Sequence, residues 1–307
     1  MAPLRPRALV PGDTVAVVAP ASPVRFPERL AAGVALVEGW GLRARVMPHV
    51  HDQAGFLAGS DEDRLADLHA AWADPVVRAI WCARGGYGCS RLTGRLDGDL
   101  LRADPKPLIG FSDVTALHLA LDRHGLVSLH GPTGEWDAAR TGADAAASLR
   151  RALTATEPLG SVATGTMQTL VPGRAEGPMV GGNLALVAAA VGTADAPDCT
   201  DRLLLLEDVG ERPYRVDRML RQILGAGLLD RAAGLVFGTF VRCEEAHRPS
   251  ATVEEVLTEF ADEVGLPAVA GAPLGHGPGQ LTAPLGVAAA LDADRGTLAF
   301  TEPALVA

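Results

Sequence analysis

The chain has 307 residues, of which 48% are hydrophobic and 21% charged, and its net charge is −10. This composition is typical of a folded globular protein and excludes global disorder, while the excess of acidic groups argues against nucleic acid as a partner. At roughly 150 residues per domain the length predicts two domains; no apolar stretch approaches the roughly 18 residues of a membrane span, so we predict a cytoplasmic protein with no membrane contact.

The first half of the chain alternates strand and helix patterns. In chain order, we predict strands at residues 15–19, 42–47, 76–82, 108–111 and 127–129, and helices at 28–40, 61–73 and 114–121. Acidic residues directly after Ser60 indicate the start of the second helix. Alternating strands and helices favour an α/β fold with a doubly wound, mostly parallel sheet, which we assign to a domain of residues 1–140.

From residue 141 to 174 the pattern weakens, and we predict a linker that contains one helix at 143–153. Residues 175–307 are expected to form a smaller α/β domain of a different kind. Its strands are predicted at residues 179–180, 203–206, 234–240, 287–291 and 297–300, and its helices at 184–191, 214–224 and 253–261.

In a doubly wound sheet the functional site lies outside the carboxyl ends of the strands. This rule indicates the loops at residues 20–22, 84–88 and 112–113. Ser112 follows a buried strand and precedes a helix, as the serine of a nucleophile elbow does, although Val114 stands where the G-x-S-x-G motif has glycine. A helix-capping role is the alternative, because serine is a favoured N-cap residue.

A nucleophilic serine requires a base that a carboxylate holds in one tautomer. His276 is a candidate base, since its loop is rich in glycine and proline and is open to approach by another element. His130 follows a strand and is a further candidate to line the site. Glu207 follows four consecutive leucines of a buried strand, and Asp208 and Glu211 compete with it for the carboxylate role.

The glycine-rich loop at residues 84–88 follows the third strand. It can turn its amides towards an oxyanion, because glycine tolerates the necessary backbone angles. The amide of Asp113, directly after the serine, is the second candidate donor. The loop alone is equally compatible with a phosphate cradle, but it matches neither G-x-G-x-x-G nor the P-loop, so a nucleotide site is disfavoured.

Two other chemistries have weaker support. His49, His51 and Asp52 offer metal ligands without the H-E-x-x-H helix pattern, and we expect neither a metal nor a cofactor. The four cysteines lack C-x-x-C spacing and are expected to be free buried thiols. Cys82 and Cys89 flank the glycine loop, which leaves a thiol nucleophile conceivable.

Short motifs in a specific order span nearly the whole chain. The first half contains Gly12-Asp13-Thr14-Val15, Ala19-Pro20-Ala21-Ser22, Arg84-Gly85-Gly86-Tyr87-Gly88 and Gly110-Phe111-Ser112-Asp113. The second half contains Gly181-Gly182-Asn183-Leu184, Glu207-Asp208-Val209-Gly210-Glu211, Pro213-Tyr214, Asp217-Arg218 and Gly275-His276-Gly277. Together they resemble the LD-carboxypeptidase family, the cytoplasmic muramoyltetrapeptide carboxypeptidases.

The resemblance implies that Ser112 is the nucleophile, His276 the base and Glu207 its orienting carboxylate. It also implies that the amides of Gly86 and Asp113 form the oxyanion hole. The expected fold is a nucleophile-bearing α/β domain followed by a β-rich α/β domain that supplies the glutamate and the histidine, in a homodimer. The expected activity is release of the terminal D-alanine from murein tetrapeptides in cell-wall recycling.

One branch of this family, the microcin C self-immunity peptidases, hydrolyses acyl-sulfamoyl adenylates and holds the nucleotide with tryptophan and lysine near the catalytic glutamate. Residues 208–221 contain neither residue type, which favours a murein peptide substrate. Arg84 is the first candidate to bind the free carboxylate of that peptide, and Tyr87, Asn183 and Arg212 are further substrate-binding candidates. Noncatalytic binding of peptidoglycan fragments or of a nucleotide is the alternative of another class.

Overall fold

A computed structural model describes residues 3–163, 167–245 and 251–307. Within these ranges the strands are β1 (Thr14–Val18), β2 (Arg43–Val46), β3 (Val77–Cys82), β4 (Leu108–Gly110), β5 (Ser128–His130), β6 (Gly160–Ala163), β7 (Gln168–Val171), β8 (Arg174–Asn183), β9 (Leu203–Val209), β10 (Gly234–Val241), β11 (Ala268–Ala270), β12 (Ala283–Leu285), β13 (Ala288–Asp292) and β14 (Thr297–Phe300). The α-helices are α1 (Pro27–Glu38), α2 (Asp61–Ala73), α3 (Gly98–Ala103), α4 (Thr115–Arg123), α5 (Ala138–Thr154), α6 (Leu184–Ala190), α7 (Pro213–Gly225) and α8 (Val253–Val264). None of these helices is long and apolar enough to cross a membrane.

The first sheet carries the glycine loop and the serine corner. Its strand order is β12-β5-β4-β3-β1-β2, in which β1 to β5 are parallel and β12 is antiparallel to β5. Helices α1, α2 and α4 lie between successive strands of this sheet along the chain. Helix α2 is capped by Ser60, whose hydroxyl accepts the backbone N–H of Asp63 at 3.1 Å. The predicted doubly wound, mostly parallel sheet is confirmed.

The second sheet positions Glu207. Its order is β6-β14-β13-β8-β9-β10-β11-β7, with β8 to β11 parallel to one another and the outer strands antiparallel. The four leucines of β9, residues 203–206, are fully buried between β8 and β10. Burial of each such side chain stabilises the fold by about 1.5–3 kcal/mol, so the strand end that carries Glu207 is firmly held.

Residues 141–174 are more structured than the predicted linker. They contain most of α5 and the strands β6 and β7, which form the two edges of the second sheet; residues 164–166 lie outside the described residues. The expectation of an irregular stretch is therefore wrong for these two strands. Each has only four residues, and β7 is exposed or half-buried along its length, so the apolar pattern that marks a strand is weak.

Strand β12 connects the two halves of the molecule. It lies near the end of the sequence, yet it pairs with β5 of the first sheet, with Ala283 opposite His130. The segment between β11 of the second sheet and β12 of the first carries His276. This crossing brings a histidine from the end of the sequence to the first sheet, and local sequence patterns contain no signal for it.

Candidate active site

Ser112 lies at a strained corner between β4 and α4. Its φ is +63°, one of three positive values among the described non-glycine residues, and a 3-10 turn over Ser112–Val114 leads into the helix. Such a backbone conformation costs about 1–3 kcal/mol and is typical of functional sites. The helix-capping alternative is not observed, because Phe111 and Val114 occupy the N-cap positions of the turn and the helix and neither has a side-chain cap.

Glycines next to the corner permit its close packing. A Cβ on Gly110 would lie 2.9 Å from Cγ1 of Val114, and a Cβ on Gly85 would lie 2.8 Å from the Cβ of Ser112. Close-packed interiors do not tolerate such overlaps without moving a neighbour. Gly85 and Gly110 therefore supply the space at this elbow, which leaves room for valine at position 114.

His276 is hydrogen-bonded to Glu207 at the end of β9. Nδ1 of the imidazole lies 2.6 Å from Oε2 of Glu207, and the backbone N–H of His276 donates to the same oxygen at 3.1 Å. Glu207 is fully buried. Gly275 has a φ of +108°, and a Cβ there would lie 2.3 Å from Oε2, so only glycine allows this approach. With Nδ1 donating to the carboxylate, Nε2 is the basic nitrogen.

The competing carboxylates, Asp208 and Glu211, make other contacts. Asp208 accepts the side-chain amide of Asn183 at 3.0 Å, and burial raises its pKa to about 6. Glu211 lies 3.5 Å from an arginine one helical turn further along the chain. Of the three sequence candidates, Glu207 is the one that contacts His276.

Three elements hold the loop that carries His276. Thr239 of β10 accepts the backbone N–H of Gly277 at 2.8 Å, and the guanidinium of Arg140 donates to the carbonyl oxygen of His276. The ring of Phe111, at the serine corner, has its centroid 4.7 Å from that of the imidazole. The imidazole is thereby fixed relative to both sheets.

A cavity of about 290 Å³ has both Ser112 and His276 in its wall. The other wall residues are Arg25, Phe26, Arg29, Arg84, Gly85, Gly86, Phe111, Pro132, Thr133, Glu135, Asp137, Arg140, Thr141, Gly277 and Gln280. The side-chain hydrogen bond of His276 goes to Glu207, and none joins it to the hydroxyl of Ser112 within the described chain. Such catalytic bonds commonly tighten only when substrate is bound.

The glycine loop at residues 84–88 is held beside the serine corner. Oγ of Ser22 accepts the backbone N–H of Tyr87 at 3.1 Å, and a buried arginine of α2 donates to the carbonyl oxygen of Gly88 at 3.1 Å. Gly86 has a φ of +115°, and a Cβ there would collide with Oγ of Ser22. Glycine is therefore required at position 86 by both conformation and space.

Asp113 connects this loop to the corner. Its carboxylate accepts the backbone N–H of Cys89 at 2.8 Å, and burial raises its pKa. Gly86 and Asp113, the two residues predicted to supply oxyanion donors, therefore belong to segments that are bonded to each other. Rigidly held amides next to a nucleophile are suited to stabilise a developing oxyanion, since they need no reorganisation during the reaction.

Of the four substrate-binding candidates, only Arg84 lines the cavity. Tyr87 is an exposed ring packed against another aromatic side chain. The buried side chain of Asn183 caps α6, and Arg212 forms a 3.5 Å ion pair with Glu245. The contacts of these three residues give no support to substrate binding. The sequence named them because they belong to shared motifs, and a motif contains residues that hold the fold as well as residues that face a cavity.

The sequence prediction missed the wall residues that follow β5 and begin α5. Thr133, Glu135, Asp137 and Arg140 line the cavity, and Arg29 forms a 3.0 Å ion pair with Asp137. The segment starts at the carboxyl end of a parallel strand. The rule that selected the other three loops therefore indicates this one as well.

Two buried histidines lie close to the corner. Nε2 of His118 donates to the carbonyl oxygen of Gly110 at 2.9 Å, which ties α4 to the end of β4, and burial lowers its pKa to about 4. His130, a sequence candidate for the wall, is instead fully buried next to Glu207, with Nε2 4.0 Å from Oε1. Burial lowers the pKa of His130 to about 3, so both histidines are neutral at pH 7.

The residues of the candidate metal site and the cysteines do not line the cavity. His49, Asp52 and Asp63 have the composition of a metal site, but the two ring nitrogens of His49 face different carboxylates, at 2.7 Å and 3.9 Å. All four cysteines are free and buried, as predicted. Burial raises the pKa of Cys82 and Cys89, which keeps both thiols protonated and unreactive.

Comparison with known proteins matches both halves of the chain to domains of one family. Residues 15–131 match the family model described as the LD-carboxypeptidase N-terminal domain, and residues 176–291 match that of the LD-carboxypeptidase C-terminal domain. The "Murein tetrapeptide carboxypeptidase" of Pseudomonas aeruginosa is 36% identical over 92% of this chain and 94% of its own. The "Probable murein peptide carboxypeptidase" of Bacillus subtilis is 39% identical over 94% and 91%.

Solved structures show the same fold. The muramoyltetrapeptide carboxypeptidase from Oxalobacter formigenes has a TM-score of 0.82 at 28% identity, covering 94% of this chain and 99% of its own. MccF in complex with glutamyl sulfamoyl guanosine has a TM-score of 0.89 at 22% identity, covering 99% and 100%. At that identity the likeness to MccF concerns the fold alone.

Proposed function

Because the chain belongs to the LD-carboxypeptidase family, we propose that it is a serine peptidase that releases the terminal D-alanine from murein tetrapeptides by cleaving an L,D-peptide bond. The observation that carries the proposal is the hydrogen bond between His276 and the buried Glu207, in a cavity whose wall also holds the strained Ser112. A nucleophile, a base and an orienting carboxylate on three separate elements are the components of a catalytic triad.

In the proposed mechanism Ser112 attacks the carbonyl carbon of the bond that precedes D-alanine. Nε2 of His276 accepts the serine proton, and Glu207 stabilises the resulting imidazolium. The C–N bond breaks as the imidazolium returns this proton to the departing amine, and an ester remains on Ser112. Water, activated by the same nitrogen, hydrolyses the ester and releases the tripeptide.

The backbone amides of Gly86 and Asp113 are the proposed donors to the oxyanion. The bond between Asp113 and Cys89 supports this assignment, because it holds the glycine loop and the corner in one fixed arrangement. In other hydrolases the loss of one such donor lowers kcat by about 10²–10³-fold. The φ of Ser112, +63°, is that of the sharp turn that exposes the serine in a nucleophile elbow.

Hydrolysis of acyl-sulfamoyl adenylates is the second candidate activity. The fold shared with MccF in complex with glutamyl sulfamoyl guanosine favours it. The sequence identity of 36–39% with murein peptide carboxypeptidases over more than nine-tenths of the chain supports the peptide substrate instead. The resemblance further leads us to propose a cytoplasmic homodimer. Light scattering of the purified protein tests the dimeric state.

Mass spectrometry of reaction products tests the proposed function. Wild type and Ser112→Ala are incubated with a murein tetrapeptide, with the same peptide ending in L-alanine, and with an acyl-sulfamoyl adenylate. We expect wild type to release alanine from the D-terminal peptide alone, and Ser112→Ala to be slower by about 10⁴–10⁶-fold. Cleavage of the adenylate alone would move the assignment to the second activity, and binding without turnover would indicate a noncatalytic protein.

A further inference from the structure

The charges in the cavity wall favour an anionic ligand. Four arginines line it, at positions 25, 29, 84 and 140, against the two carboxylates of Glu135 and Asp137. Arg29 pairs with Asp137 at 3.0 Å, whereas the other three arginines have no carboxylate partner in the described part of the chain. A carboxypeptidase substrate carries a free carboxylate, and the planar fork of a guanidinium is suited to bind it through two parallel hydrogen bonds.

The proposed reaction fixes where that carboxylate must lie. In the leaving D-alanine it is attached to the carbon next to the amine nitrogen, so its carbon is about 2.5 Å from the atom that His276 protonates. The carboxylate anchor therefore belongs beside His276, on the leaving-group side of the cavity. The amides that bind the oxyanion lie beside the carbonyl carbon, where the charge of the tetrahedral intermediate develops.

Arg140 lies beside His276. Its guanidinium donates to the carbonyl oxygen of His276, and its own carbonyl oxygen accepts the backbone N–H of Gly279 at 3.1 Å. Arginine has five N–H donors, so the guanidinium keeps free donors beyond the one that His276 uses. Arg140 stands on the first turn of α5, before a kink at Gly142 where φ is +79°, and this turn forms part of the cavity wall.

The other two arginines that have no carboxylate partner among the described residues lie elsewhere in the wall. Arg84 donates to the carbonyl oxygen of Pro23 at 3.0 Å, and its Nη2 is 3.6 Å from the position of a Cβ on Gly86. Arg84 is the first residue of the glycine loop, on the oxyanion side. The guanidinium of Arg25 lies over the ring of Phe26, 5.2 Å from its centroid.

We infer that Arg140, and not Arg84, binds the C-terminal carboxylate of the substrate, an assignment that rests on the proposed function. Because the same guanidinium contacts the carbonyl oxygen of His276, a carboxylate bound there holds the leaving group against the loop that carries the base. Peptides that lack a free C-terminus then lose turnover as well as affinity. This coupling makes the enzyme an exopeptidase.

Two substrates and four proteins test the assignment. The substrates are the murein tetrapeptide with its free carboxylate and the same peptide ending in D-alaninamide; the proteins are wild type, Arg140→Met, Arg140→Lys and, as a matched control, Arg84→Met. We expect Arg140→Met to lower kcat/KM for the free acid on the order of 100-fold and to lower it for the amide by about 10-fold less. Both substrates lose the contact that Arg140 makes with the loop of His276, but only the free acid also loses its anchor. Arg140→Lys should recover part of the loss, since it restores a positive charge without the fork.

Other results would refute either the assignment of Arg140 or the proposed function. If Arg84→Met erases the preference for the free acid, or if Arg140→Met slows both substrates equally, the assignment of Arg140 is refuted while the proposed function stands. If wild type releases neither D-alanine from the free acid nor D-alaninamide from the amide, the proposed function itself is refuted and this inference with it. Melting temperatures control for folding. We expect the two Arg140 variants to melt at the temperature of wild type, because the side chain of Arg140 is exposed.

Discussion

Replacement of Gly275 by alanine should separate Glu207 from His276 while leaving both residues in the chain. The new Cβ would lie 2.3 Å from Oε2 of Glu207, more than 1 Å inside the roughly 3.5 Å at which carbon makes favourable contacts. Oε2 is the atom that accepts both bonds from His276, and the buried carboxylate has no open solvent to move into. We expect kcat to fall about 10³-fold, which corresponds to about 4 kcal/mol of transition-state stabilisation.

The assay is release of D-alanine at neutral pH, with Gly271→Ala as the matched control. Gly271 also has a positive φ, +80°, but a Cβ there would meet nothing within 4 Å. Both variants bear the strain of a non-glycine residue in this region, about 1–3 kcal/mol, and only Gly275→Ala adds the collision. A kcat for Gly275→Ala within 3-fold of wild type, or an equal loss in Gly271→Ala, would refute the reasoning.

Three further predictions follow from the buried groups. Glu207→Gln should lower kcat by about 10³–10⁴-fold without lowering the melting temperature, because the buried Oε1 of the carboxylate has no hydrogen-bond donor among the described residues. A kcat close to that of wild type, or a lower melting temperature, would contradict this. Iodoacetamide should leave the native enzyme fully active, because Cys82 and Cys89 are buried and protonated; inactivation in proportion to labelling of either would point to a thiol nucleophile. Burial raises the pKa of Asp208 to about 6, so between about pH 4 and 6 the folded chain keeps a proton that the unfolded chain has released. The free energy of unfolding of wild type should therefore fall by on the order of 3 kcal/mol relative to that of Asp208→Asn as pH rises through that window. If the melting temperatures of the two proteins change in parallel with pH, the carboxyl of Asp208 does not have the raised pKa.

Elements with a strong local signal were predictable from sequence. Helix α2 has the predicted bounds, because Ser60 and the acidic residues after it mark its start and fix the N-cap. Strand β9 was recognised from its four leucines. Such elements are determined by residues adjacent in the chain, and their recognition needs no knowledge of the fold.

Strands that depend on distant partners were not predictable in the same way. Strand β12 has three residues. It pairs with β5 in the first sheet, although in the sequence it comes after β7 to β11, which belong to the second sheet. Strands β6 and β7 are short edges of the second sheet whose partners, β14 and β11, lie about a hundred residues or more further along the chain. In each case pairing across the fold stabilises a segment whose own pattern is weak.

The same distinction between local and distant determinants holds for the residues of the candidate site. Ser112 is predictable from sequence, because neighbouring residues indicate a turn from strand to helix. Its φ of +63° is not predictable in this way. Glu207 and Asp208 were indistinguishable, since β9 is buried on both faces and its pattern has no alternation. Arg140 was missed because the predicted helix began after Gly142, whereas the first turn of α5 precedes the kink at that glycine.

Covalent labelling tests the central claim, that Ser112 is the nucleophile, most directly. The enzyme is inactivated with a fluorophosphonate, which reacts with activated serines, and the adduct is located by mass mapping of peptides. We predict one adduct, on Ser112, whose extent equals the fraction of activity lost, and no adduct in Gly275→Ala on the same timescale. Inactivation with the label on any other residue would contradict the account.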